Sequence, residues 1–234
     1  MFDNFELFLT TLLRGAPLTV AATGGGIVLT ILLSFVAGLA MLSRSRWVRF
    51  LARVYVEGWR GTSEVVQLFW IYFAVPLLVG FQLVPLWAGI LVLGLNHGAY
   101  GAEIVRGAVN AVPRAQHEGA IALNLGPAQR IRKVILPQAF VEMVPPFNNL
   151  FIQLLKSSSL LSLITVTEIT NQGVQVLVPN YTGQALTIFL IMLVLYLILS
   201  LVITVVMRLV ERWAARVAGR PATARARVTG ELGI

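Results

Sequence analysis

Five mostly apolar runs, each long enough to cross a bilayer, set the terms for any fold of this sequence. They cover residues 17–42, 54–80, 83–105, 138–164 and 184–207. A spanning helix needs about 20 apolar residues. Charged residues make up only 12% of the chain, against about 25% in soluble domains. The expectation is an all-α integral membrane protein with five transmembrane helices. The small residues Gly24, Gly25, Gly26 and Gly38 in the first run suit close helix contact.

The bases set the orientation. Arg44, Arg46, Arg49 and Arg53 follow the first run, and Arg106, Arg114, Arg130, Arg132 and Lys133 follow the third. Arg208, Arg212, Arg216, Arg220, Arg225 and Arg227 follow the fifth, whereas the remaining connections carry no Lys or Arg. Positive loops stay inside, which places the N-terminus periplasmic and the C-terminus cytoplasmic. The expected division is a periplasmic segment 1–16, a transmembrane domain 17–212 with a cytoplasmic loop 106–137, and a basic tail 213–234. The net charge of +8 is thus read as membrane orientation. The tail has no apolar anchor after Val217 and is assigned to anionic lipid, not nucleic acid, because no aromatic platform accompanies it. The absence of cysteine excludes disulfide, zinc–thiolate and Cys-nucleophile chemistry. The opening "MFDNFELFLTTLLRG" has no basic n-region or cleavage site and does not read as a cleaved signal peptide.

The loop 106–137 is long for a helix connection, which usually takes about 2–8 residues. Pro113 can open a helix, and 115–123 favours one. Asn124 suits a left-handed stop, reinforced by Gly126 and Pro127. A second short helix, "AQRIRKVIL", is expected to end at Pro137. An interaction element and an amphipathic helix on the membrane surface both fit this pattern.

Glu118-Gly119-Ala120, Asn124 and Val134-Ile135-Leu136-Pro137 resemble the coupling loop of bacterial ABC importer permeases. The segments "AYGAEIVRGAVNAVP", "PQAFVEMVPPFNNLFIQLLKSSSLLSLITVTEI" and "YVEGWRGTSEVVQLFWIYFAVP" resemble the subfamily that imports polar amino acids. The resemblance covers about residues 8–212. It implies a type I importer fold in the bacterial inner membrane, with Glu118, Gly119, Ala120, Asn124, Leu136 and Pro137 coupling to a cytoplasmic ABC ATPase dimer. It also implies a second permease subunit, identical or paralogous, and an extracytoplasmic solute-binding protein. No Walker pattern occurs, so this chain is not an enzyme and carries no cofactor of its own. ATP and magnesium would be bound by the partner. Gly119 and Asn124 stand where the motif usually has Ala and Gly. Ser63-Glu64 and Ser157 depart from the subfamily's usual residues, and similar changes occur in permeases for ectoine-type solutes.

Polar residues inside apolar runs are costly and mark candidate pathways. Glu64, Gln67, Asn148, Gln153, Lys156 and Ser157 are the substrate-path candidates, with Glu64 the favoured acid and Lys156 or Arg60 the cation for a zwitterion. The structural alternatives are equally concrete. Asn148, Asn149 and Gln153 could bond neighbouring helices, and Lys156 could pair with Glu64 or Glu103. Asn96 and His97 fall mid-run, with His97 a packing residue, and Glu168 is expected at the outer end, facing a binding protein or water. Pro145-Pro146 should break or kink the fourth run. Two other function classes compete. A secondary transporter working alone would need inverted repeats and an ion site, and no repeat is visible. An intramembrane enzyme would rely on His97 and Glu103, which lie on different helix faces.

Overall fold

The computed structural model describes residues 4–217, so residues 218–234 of the expected tail lie outside the described residues. Among the described residues there are only helices and turns. We number the helices α1 (Phe5–Met41), α2 (Arg46–Arg60), α3 (Glu64–Val79), α4 (Pro85–Ala111), α5 (Arg114–Ala122), α6 (Pro127–Ile164), α7 (Ile169–Asn180) and α8 (Ala185–Val217).

The α1–α4 pair is the spine of the bundle, and small residues let it close. A Cβ at Gly38 would lie 2.7 Å from Val105, and one at Gly94 would lie 2.5 Å from Leu29. Gly26 meets Leu93. Numbering rises together along both helices, so they run parallel. Helix α6 meets the spine with numbering reversed, Leu161 on Gly89 and Phe147 on Gly101. It is therefore antiparallel to α1 and α4. Helix α8 runs antiparallel to the α6–α7 pair in turn, since Trp213 meets Phe140 of α6 and Tyr196 meets Thr170 of α7.

Two helices, Phe5–Met41 and Thr182–Arg216, are singly long and apolar enough to cross a membrane. The bent pairs α2–α3 (102°) and α6–α7 (55°) raise that number to as many as four. Helix α4 falls outside this set. It lies between α1, α3 and α6, so its buried Asn96 and His97 meet protein instead of lipid.

Several boundaries differ from expectation. Helix α1 starts at Phe5, not at Pro17, because Phe8 and Leu12 are fully buried beside Ile169, Leu177 and Ile188. The third run continues to Ala111 and the fifth to Val217. The second run is not one helix, since it breaks at Gly61–Ser63. Conversely, Pro145-Pro146 do not break α6, which is helical from Leu136 to Ser157 and ends in a 3-10 turn, Ser158–Ile164. Pro137 does not end a helix either. It is preceded by a π-helical turn, Ile131–Ile135. The π turns Trp70–Ala74 and Gln172–Leu177 stand the same two residues before Pro76 and Pro179. Proline lacks an N–H and its ring crowds the carbonyl four residues back. A widened turn moves that carbonyl away, and the helix continues.

Candidate functional site

The break between α2 and α3 builds a buried polar cluster. Gly61 ends α2, its N–H reaching the Glu57 carbonyl at 2.8 Å. Ser63 is extended and Glu64 opens α3. Ending a helix frees carbonyls that must find donors. The Gln67 amide donates to the Trp59 carbonyl at 2.7 Å and to Thr62 Oγ1 at 2.6 Å. Asn96 Nδ2, from α4, donates to Gln67 Oε1 at 2.9 Å and to the Trp59 carbonyl at 3.2 Å. Gln67, a pathway candidate by sequence, is thus engaged in holding the break, and Asn96 with it.

Glu64 is placed differently. Its Oε2 accepts from the Ser157 hydroxyl at 2.8 Å. Its Oε1 is 3.5 Å from His97 Nδ1 and has no hydrogen-bond partner. His97 is 1% exposed, and its Nδ1 is 3.1 Å from the Leu93 carbonyl. A carbonyl only accepts, so that contact assigns the proton to Nδ1 and leaves Nε2 an acceptor. Nε2 also lacks a partner. Two buried acceptors, one on a carboxylate and one on an imidazole, therefore stand unsatisfied in one cluster. Buried polar atoms are rarely left so, and what satisfies acceptors is a donor.

The expected ion pairs of Lys156 do not form. Glu103 takes Arg106 at 2.6 Å and Arg60 at 3.8 Å, and Arg60 lies over the Tyr100 ring at 5.1 Å. Among the described residues Lys156 has no partner, one residue along from the serine that holds Glu64. With Asn149 and Gln153 it makes an exposed stripe at helical spacing on α6. Neither these nor Asn148, whose Oδ1 is buried without a partner, bonds a neighbouring helix among the described residues.

Glu168 overturns its expectation of facing outward. It is fully buried and caps α7, accepting from the backbone N–H groups of Thr170 and Asn171 at 2.8 Å. Tyr196 of α8 donates to it at 2.9 Å. That spends the tyrosine proton, so Thr170 donates to Tyr196.

The long loop folds as α5 plus a left-handed stop. Asn124 has φ 54°, and the N–H of Leu125 bonds the Ala120 carbonyl at 3.1 Å. Glu118 and Gly119 are exposed, with open space around Gly119, whereas Ala120 is buried. Ile121 and Leu123 are 56% and 76% exposed. Leu136 and Pro137 stand apart from them, lining a cleft with Phe140 and Trp213.

Residues 10–216 match the family model described as "Binding-protein-dependent transport system inner membrane component". The chain belongs to that family. As an inner-membrane component of such a system it is a transport subunit and not an enzyme, and its ATPase and binding protein are separate chains. A probable amino-acid ABC transporter permease of Sinorhizobium fredii is 42% identical over 193 residues, 80% of each chain. The glutamine transport system permease of Escherichia coli is 36% identical over 171 residues, 73% of this chain and 78% of that one. In three dimensions the component resembles a chain from the crystal structure of an amino acid ABC transporter with histidines. The TM-score is 0.81 at 28% identity, covering 91% of this chain and 98% of that one. A chain of the methionine transporter MetNI in an inward-facing conformation has the same fold, with a TM-score of 0.75 at 23% identity over 92% and 99%.

Two signals for the break were present in this component's sequence. Gly61 is a helix stop, and Ser63-Glu64 is a helix start with an acid in its first turn. Nothing local marked the roles of Trp59, Tyr196 or Thr19, whose partners are distant in sequence.

Proposed function

We propose that this chain is the permease of an ABC importer for a polar amino acid or an amino-acid-like zwitterion of the ectoine type. The relatives' amino-acid substrates support the broad class, and the cluster around Glu64 supports a solute with a cationic centre. The carrying observation is that Glu64 has no Lys or Arg partner among the described residues while its Oε1 and His97 Nε2 lack donors. An ammonium or amidinium would supply them, and the free Lys156 stands one residue from Ser157 to receive a carboxylate. The exposed stripe of Asn149, Gln153 and Lys156 would line a pathway closed by a second permease subunit, since one such chain is too small to enclose it.

The chain would cross the bilayer five times, with the N-terminus periplasmic. The parallel course of α1, α4 and α8 against α6 supports that alternation. Helix α5 would dock in the ATPase through Glu118, Gly119 and the exposed Ile121 and Leu123. Leu136 and Pro137 would act from behind it by fixing the return into α6.

Uptake by reconstituted transporter with its binding protein tests the pathway. Glu64→Gln should leave assembly intact and cut uptake tenfold or more, and near wild-type uptake would remove Glu64 from the path. For docking, Gly119→Arg should leave the folded permease in the membrane, because the position faces open space. It should abolish ATPase co-purification, and an assembled, active mutant complex would refute the contact.

A further inference from the structure

A cleft of about 360 Å³ lies where the C-terminal part of α1, the start of α6 and the C-terminal part of α8 converge. Its walls are Phe35, Leu136, Phe140 and Trp213, and Arg132 stands among them as its one charged lining residue. Arg132 is exposed and has no acidic partner among the described residues. Arg208, Arg212 and Arg216 are exposed on the same part of α8. An apolar slot with a free guanidinium in its lining, on a membrane protein, has the two chemistries of a phospholipid side by side.

We propose that this cleft is a binding site for an anionic phospholipid of the cytoplasmic leaflet. One acyl chain lies against Phe35, Phe140 and Trp213, and the headgroup phosphate pairs with Arg132. Basic pockets between membrane helices favour anionic headgroups, and arginine's fork suits a phosphate. The chain's own residues 218–234 make a poor rival, because they add Arg220, Arg225 and Arg227 against a single acid, Glu231. The lipid would wedge the return of the loop against the last helix, beside the element assigned to the ATPase. The choice of leaflet rests on the orientation proposed above, whereas the site itself does not.

The test uses the complete transporter in nanodiscs and the emission of Trp213, isolated as wild type minus Trp213→Phe. Brominated phosphatidylglycerol should quench that emission at roughly fivefold lower mole fraction than brominated phosphatidylcholine, the worth of one base near an anionic surface. Arg132→Gln should bring the two lipids together. Equal quenching of the wild type by both lipids overturns the site. Strong quenching by both only after truncation at Val217 also overturns it, in favour of the tail. Strong quenching by both lipids only after removal of the ATPase overturns it too, in favour of a protein partner. Labelling of an Ala128→Cys variant by an impermeant reagent in intact cells would instead overturn the orientation alone, leaving the quenching result to stand.

Discussion

The two bent helix pairs, α2–α3 and α6–α7, solve one problem in two ways. Each puts a glutamate at the start of its second helix. At the sharper break the freed carbonyls are taken by amides, Gln67 and Asn96. Glu64 is left with one hydroxyl donor, its side chain 20% exposed. At the shallower break the glutamate is itself the fastener, since Glu168 is fully buried and accepts three hydrogen bonds from two helices. Thr19 of α1 adds a fourth tie by accepting the Ile169 N–H at 3.2 Å. The same residue type is spent on structure in one place and left available in the other, and one position of register separates them. Glu168 is itself the cap of α7 and reaches the N–H groups of Thr170 and Asn171, whereas Glu64 is the first residue of α3, behind the cap Ser63.

That contrast can be broken by measuring thermal unfolding of the assembled transporter. The largest effect is expected at Glu168. Replacement by Ala strands the N–H groups of Thr170 and Asn171 and leaves the Tyr196 hydroxyl only its bond with Thr170, which should cost about 4 kcal/mol. A loss below about 1 kcal/mol would show that the cap is dispensable. Gln67→Leu should come next, at about 2 kcal/mol, because the Trp59 carbonyl keeps only its long bond from Asn96. If Gln67→Leu instead abolishes uptake without shifting the unfolding temperature, Gln67 belongs to the pathway and not to the break. The smallest change is expected for Glu64→Gln. An amide keeps an acceptor for Ser157, so stability should move by less than about 1 kcal/mol while uptake falls. A large destabilisation there would make Glu64 a second Glu168 and erase the difference between the two breaks.

The sequence carried the helical class and the stop at Asn124, because each rests on local chemistry that tertiary contacts do not reverse. Its errors cluster at prolines and at the second run. By local rules Pro137 and Pro145 are breaks, yet α6 passes through both, in the first case because a π turn absorbs the ring. The real break fell at Gly61–Ser63, where no proline stands and where the decisive donors come from Gln67 and from Asn96 on another helix. Lys156 looked like a partner for Glu64 because opposite charges were the only pairing that sequence could suggest. The structure pairs Glu64 with Ser157, a neutral residue that gave no such signal. Glu168 was misread for a related reason, since a carboxylate near a run's end looks solvent-facing until Tyr196 arrives from α8.

The π turn at Ile131–Ile135 has a consequence for rotational phase. Such a turn holds one residue more than an α-helical turn closing at the same place, and each residue advances a helix by about 100°. Everything after it on α6 is therefore clocked round relative to the first turn of that helix, Pro127–Arg130. Asn149, Gln153 and Lys156 share a face by their spacing, and that offset sets the direction in which the face points, so deleting one residue from 131–135 would swing all three away together. In its place the bundle would present whatever now packs inward, with no side chain of the stripe having been changed.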